Sequence, residues 1–346
     1  MDSIQDTTSP EIEQLHLAVG TVLVVWLAAG VLGNATLFAV FARYRKLCSP
    51  TNVLLLSLGL ANLGMAICCI PLSTTANFIQ RWPFHWEGCK FYGFFFMFFG
   101  LTTVGNTVTL AVSRYLIVCR SELAQQLTFS HYRYFAMSAW VNGLFWALMP
   151  IFGWSRYDID SPLQTSCFVD WQRIDLSYVS YIVSWFIINF VLPLSLMVFC
   201  YVSAFLTRQE EAGEAEEGQF AADPTRNDEP SPNDVDWASQ PEAHWIGIVT
   251  VVVFVLSWVP YSVLLLYVIS NDPTEMPTYL PMVAPLFAEI TLWIHPILFL
   301  VCVKKFRSYA IMMICCRTEV EAIEVDPQAN DSHRMSEARR FADHFV

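Results

Sequence analysis

The chain has 346 residues, of which 55% are hydrophobic and only 14% charged, with a mean hydropathy of +0.44. A soluble protein of this length covers its surface with nearer a quarter charged residues, so a water-soluble single domain is excluded. The net charge of −12 gives no basic face for nucleic acid, and the acidity is concentrated in two segments, 209–243 and 318–346.

Seven apolar runs follow one another at about 16–41, 51–79, 89–119, 134–153, 177–206, 245–270 and 277–303. Each reaches the roughly 20 residues that a membrane-spanning helix needs, and none alternates as a barrel strand does. The expected fold is therefore an all-α integral membrane bundle of seven transmembrane helices. The first run starts too late for a signal peptide and has no basic flank before it. Positive residues set the orientation: Arg43, Arg45 and Lys46 follow span 1, Arg120 and Arg133 follow span 3, and Lys304, Lys305 and Arg307 follow span 7. The N-terminal segment, 1–15, has none, so it is read as extracellular and the C-terminus as cytoplasmic. A plasma membrane or other cellular membrane is the expected location.

In chain order, span 1 carries Gly33-Asn34, and a polar Asn inside hydrocarbon must face other helices. Span 2 carries Asn62 and Pro71, the latter expected to kink its outer third. Cys89 opens span 3, which is rich in Phe and ends in Ser113-Arg114-Tyr115 with Arg114 at the inner edge. Span 4 holds Trp140 and closes on Gly153-Trp154, and the loop beyond carries Asp158, Asp160 and Cys167. Of the ten cysteines, only Cys89 and Cys167 fall at the oxidising outer surface, where a disulfide is the natural reading. Span 5 holds Pro193 and Tyr201. Residues 208–244 are acidic and rich in Pro and Asn, as expected of a disordered cytoplasmic loop. Span 6 carries Trp258, Pro260 and Tyr261, with both aromatics placed on the inner wall. Span 7 holds Glu289 at mid-depth and His295-Pro296 beyond it. A carboxylate at that depth is a functional candidate by default. Residues 304–316 read as an amphipathic eighth helix on the membrane, ending in Cys315-Cys316, candidate palmitoylation sites. Residues 317–346 read as a disordered acidic tail.

Gly33-Asn34, Cys89 with Cys167, Ser113-Arg114-Tyr115, Trp140, Pro193, Trp258-Val-Pro260-Tyr261 and His295-Pro296 occur in order on successive spans. This ordered set resembles the rhodopsin-like (class A) G protein-coupled receptors. Within that class, Gly153-Trp154-Ser-Arg-Tyr, Phe287-Ala-Glu-Ile and Cys315-Cys316 resemble the opsins. Arg81-Trp-Pro and the Trp154 to Cys167 pattern are most similar to the branch of peropsin, retinochrome and the retinal G protein-coupled receptor. The resemblance implies a receptor rather than an enzyme, with a heterotrimeric G protein and arrestin as partners and Arg114, Tyr115 and Tyr201 at the coupling face. It implies a switch built on Asn34, Asn62, His295, Pro296 and Phe299, and a ligand pocket of Glu289, Trp258, Tyr261, Tyr92 and Asp160.

One departure is decisive. Opsins carry a lysine at the position of Glu289 and bind retinal through it as a Schiff base, which a carboxyl group cannot form. Glu at this position resembles the opsins called gluopsins. The four lysines are Lys46, Lys90, Lys304 and Lys305, and only Lys90 lies at the outer side. Covalent retinal is therefore not expected. Asn62 stands in place of an Asp, Ser113 of an acidic residue, His295 of an Asn and Phe299 of a Tyr. Glu289 then has a bland reading, a protonated core group, and three functional ones. It donates a hydrogen bond to a non-covalent retinoid, it pairs with a cationic small molecule, or the protein acts without a ligand as a partner or scaffold for another receptor. A retinal photoisomerase would need the missing lysine.

Overall fold

The computed structural model describes residues 10–44, 47, 49–159, 163–218, 243–271, 277 and 279–314. Asp160, Lys46, Cys315, Cys316 and the segments 219–242 and 317–346 lie outside the described residues.

Helix α1 runs over Pro10–Arg43. It starts six residues before the expected boundary at 16, so the segment read as an N-terminal extension is helical from Pro10. Pro at a first helical position costs no hydrogen bond, because that N–H has no helical partner anyway. Span 2 is built of two helices, α2 (Asn52–Cys68) and α3 (Ile70–Ile79), with Pro71 in the first turn of α3. The expected kink thus falls at Cys69. Span 3 is α4 (His85–Cys119), followed by the single turn α5 (Ser121–Ala124). Span 4, α6, covers Phe129–Leu148 rather than 134–153. Its earlier start is set by Thr128, whose backbone N–H donates to His131 Nδ1 at 3.0 Å, and its earlier end by Pro150 and Gly153.

Span 5 comprises α7 (Leu176–Phe186), a π turn (Ile187–Val191) and α8 (Leu192–Gly218). The wide turn lies directly ahead of Pro193, which has no N–H to donate. Helix α8 continues through Arg208 to Gly218, a correction to the loop expected from 208. The sequence there, Arg-Gln-Glu-Glu-Ala-Gly-Glu-Ala-Glu-Glu, is composed mostly of good helix formers. Arg208 Nη1 also lies 3.6 Å from Glu211 Oε2, one turn on. Span 6 is α9 (Ala243–Ser270), and span 7 is α10 (Leu280–Glu289) with α11 (Thr291–Cys302). Helix α12 (Lys304–Ile314) follows as the eighth helix.

Among the described residues, six helices or joined helix pairs are long and apolar enough to cross a membrane. Helix α6, with its 20 residues, is about 30 Å long, which is also a membrane thickness. Helix α4 lies at the centre and packs on α2, α6 and α8.

Three polar ties join spans inside the bundle. Pro296 cannot donate to the carbonyl four residues back, that of Leu292. Asn34 Nδ2 donates to that carbonyl at 2.9 Å and to Gly30 at 2.7 Å, joining span 1 to span 7. Thr103 Oγ1 donates to Asn62 Oδ1 at 3.0 Å, joining spans 2 and 3. Trp140 Nε1 donates to Ser57 Oγ at 2.9 Å, joining spans 4 and 2.

The end of the bundle where α4 begins carries a two-stranded antiparallel hairpin, β1 (Tyr157–Ile159) with β2 (Cys167–Val169), pairing Asp158 with Phe168. The Cys89–Cys167 disulfide ties it to the start of α4. Arg156 ties it to span 5, with Nε 2.7 Å from Asp170 Oδ2 and Nη2 3.3 Å from Asp175 Oδ2.

Candidate functional site

Glu289 is the last residue of α10, at a break in span 7. There Ile290 N–H reaches only three residues back, to Phe287, at 3.2 Å, and Thr291 Oγ1 donates to the Ala288 carbonyl at 3.0 Å. The side chain is 1% exposed, and its Oε2 has no hydrogen-bond partner. It borders a small chamber between spans 1, 2, 3 and 7, lined also by Ser73 and Asn77 of α3, Tyr92 of α4, and Thr165, Ser166 and Phe168 of the outer loop. The space open to the centre of a water molecule is about 10 Å³, room for roughly one water.

The chamber wall is internally bonded. Tyr92 and Ser73 stand side by side in it. Asn77 Nδ2 donates to the Ser73 carbonyl at 2.9 Å, and Asn77 Oδ1 lies 3.4 Å from His16 Nδ1 on α1. Glu289 lies within electrostatic reach of Tyr92 and Cys69. No Lys or Arg is among the residues lining this chamber.

Next to the chamber an aromatic cluster fills the centre of the outer half. Phe168 packs edge-on against Phe96 at 4.8 Å and Tyr92 at 5.6 Å between ring centres, and against Tyr261 at 5.8 Å. Trp185 meets Trp258 at 6.0 Å and Tyr261 at 6.1 Å. Trp258 and Tyr261 are 2% and 1% exposed, on the inner wall as expected. They belong to this cluster and do not line the chamber, so of the expected pocket residues the structure brings only Tyr92 and Glu289 together there. Asp160 lies outside the described residues.

Sequence reasoning passed over Ser73, Asn77, His16, Thr165, Ser166 and Phe168. The period of span 2 carried a signal for Ser73 and Asn77, four apart and therefore on one helix face. Phe168, beside Cys167, is aimed inward by a strand register that only the hairpin reveals.

Lys90 stands at the outer surface. Its Nζ is 3.6 Å from Glu87 Oε1 and 5.2 Å above the Trp86 ring. Lys304 belongs to α12 at the other end of the bundle.

At the end of the bundle away from the hairpin Arg114 is 3% exposed, not extended to water as an inner-edge position suggested, and is within electrostatic reach of buried Tyr201. Tyr115 packs tilted against Phe199, 5.5 Å between ring centres, and helps line an open cavity of about 580 Å³ with Cys119, Arg120 and Glu122. The Tyr115 hydroxyl hydrogen-bonds the Arg120 guanidinium and holds its pKa above the usual arginine value. His295 and Phe299 are buried in span 7, 3% exposed each, and Pro296 lies against Gly33. Cys315 and Cys316 lie outside the described residues.

Comparison with known proteins places these features. Residues 33–318 match the family described as 7 transmembrane receptor (rhodopsin family). The chain is 31% identical over 303 residues to the visual pigment-like receptor peropsin of Homo sapiens, covering 88% of this chain and 86% of that one. It is 29% identical over 276 residues to rhodopsin of Ambystoma tigrinum, covering 79% and 73%. The crystal structure of squid rhodopsin superposes with a TM-score of 0.75 at 23% identity, covering 92% of this chain and 91% of that one, a likeness of fold.

Proposed function

The chain belongs to the rhodopsin family of seven-transmembrane receptors, on its opsin side, and from that premise we propose that it is a receptor that works without a covalently held chromophore. The observation carrying this is the place of Glu289: buried in the outer half of span 7, facing a polar chamber, with an oxygen left unbonded. By resemblance, this is where opsins hold the Schiff-base lysine. A carboxyl group does not condense with an aldehyde to an imine. Lys90, the one lysine at the outer side, is paired with Glu87 at the surface.

Members of this family are membrane receptors rather than enzymes, and they signal through G proteins. The buried Arg114 and the open cytoplasmic cavity beside Tyr115 and Arg120 support a heterotrimeric G protein on that face, with arrestin as a second partner. The positive residues after spans 1, 3 and 7 support a cytoplasmic C-terminus.

The ligand meets Glu289 without a covalent link. A retinoid would accept a hydrogen bond from the neutral acid at its aldehyde or hydroxyl oxygen and lie against Tyr92, Phe168 and Tyr261. Pockets for molecules of that size hold about 300 Å³ or more, so the aromatic cluster must part to admit it. A second reading is favoured by the chamber's size and its oxygen lining: a small cation pairs with the ionised carboxylate. An ionised carboxylate buried without a partner costs several kcal/mol, so Glu289 is either neutral or paired.

Quenching of tryptophan emission tests the retinoid reading, because Trp185 and Trp258 border the cluster. Saturable quenching by all-trans or 11-cis retinal in the dark, reversed by dilution and weakened at least tenfold in Glu289→Gln, is the expected result. Quenching that is unaltered in Glu289→Gln would remove Glu289 from the site. Absence of quenching leaves the cation, or action without a ligand, as the working form.

A further inference from the structure

We infer that the Glu289 chamber is a binding site for one monovalent cation of sodium size, entering from the extracellular side. This rests on the reading that Glu289 meets its ligand without a covalent bond. Four observations carry it.

The space is that of a single water or ion, about 10 Å³ for its centre, too small for a larger occupant without opening the aromatic cluster. Six of the residues lining it bear side-chain oxygens: Glu289, Ser73, Thr165, Ser166, Tyr92 and Asn77. Hard cations are held by oxygen donors of this kind. Glu289 Oε2, in a side chain 1% exposed, borders the chamber with no partner. Among the described residues no Lys, Arg or His lines the chamber to neutralise it, and His16 of α1 meets its wall at Asn77.

Charge decides the valence. Among the described residues lining the chamber there is one carboxylate, so a single positive charge leaves that lining neutral, whereas a divalent ion would leave a net buried charge. Among the described residues no cluster of three His, Cys, Asp or Glu side chains stands ready for a transition metal. Thr165 and Ser166 belong to the outer loop that carries the hairpin, which sets the side of entry. The site is distinct from the Asn62–Thr103 tie deeper in the bundle.

The test uses the full-length protein in detergent, with its thermal unfolding measured in sodium chloride and in choline chloride at equal ionic strength. A saturable rise in Tm of about 2 °C is expected at a sodium concentration tenfold above its dissociation constant. The rise should be absent in Glu289→Gln and reduced in Ser73→Ala. Saturable, roughly one-to-one binding of radioactive sodium to the wild-type protein supplies a readout that does not depend on a variant folding. Methylammonium chloride separates the two sources of such a charge. If it stabilises and sodium does not, the occupant is an alkylammonium group and the assignment to an inorganic ion fails. Equal Tm in sodium and choline, with no bound sodium, overturns the proposal and leaves a protonated Glu289 beside a water. A sodium effect that persists in Glu289→Gln places the ion elsewhere and overturns it too. None of these outcomes touches the absence of a Schiff base, which retinal trapping tests on its own.

Discussion

Replacing Asn34 by Ala removes the donor that satisfies the Leu292 carbonyl, which the Pro296 ring has left without a helical partner. Asn34 is fully buried, and its amide donates to Leu292 at 2.9 Å and to Gly30 at 2.7 Å. The Gly30 carbonyl retains its ordinary helical partner, so the cost comes from Leu292. Leaving a buried carbonyl unpaired costs about 1–3 kcal/mol, and hydrogen bonds between membrane helices are worth roughly 0.6–1.7 kcal/mol. The ranges overlap at about 1–2 kcal/mol, a fall in Tm of roughly 1.5–3 °C for a chain of this size. The proof lies in the double variant. Pro296→Ala returns an N–H four residues beyond Leu292 and lets the helix satisfy that carbonyl itself. Pro296→Ala then absorbs at least half of the Asn34→Ala loss in a thermal double-mutant cycle. Strictly additive losses, or no loss in Asn34→Ala, would refute this account of how spans 1 and 7 are joined.

Further predictions concern the outer face and the chamber. Cys89→Ser opens a loop of 78 residues and should cost about 4 kcal/mol, measured as a fall in unfolding midpoint that reduction of the wild-type protein reproduces. Asp175 caps α7 by accepting from Tyr178 N–H at 2.9 Å, and that bond, then Arg156 and Arg173, holds its carboxyl below the usual range. A depressed carboxyl stabilises the fold above its unfolded value near pH 4 and loses that contribution as pH falls through the folded value. A Tm profile over pH 5 to 2 should therefore be flatter in Asp175→Asn than in the wild type. Asp175→Ala, which also loses the cap, should be less stable than Asp175→Asn at every pH. Glu289→Lys places an amine beside Tyr92. A retinal adduct trapped by borohydride at position 289 is expected, and its absence would show that the aromatic cluster does not open.

The seven spans were legible because each needs a long apolar run, and the landmark residues fixed their order. Boundaries were less legible, because local chemistry sets them: the Thr128–His131 contact at the start of α6 and the helix-forming Glu and Ala residues that carry α8 to Gly218. Asn34 was readable as a polar group that must face other helices, and Asn62 and Trp140 as landmarks of their spans, but their partners were not. Leu292, Thr103 and Ser57 are brought to them only by packing across spans. Glu289 was visible as a lone carboxylate in an apolar run. Its chamber was not, because Ser73, Asn77, Thr165 and Ser166 come from two distant segments, and Phe168 is turned inward by the register of a three-residue strand.

The central claim is that no lysine of this chain holds retinal. Purified protein incubated in the dark with 11-cis or all-trans retinal, treated with borohydride and digested for mass spectrometry tests it directly. The expected result is no red-shifted absorption band and no retinyl-modified peptide. A red-shifted band with a retinyl group trapped on a lysine, the peptide containing Lys90 above all, would contradict it.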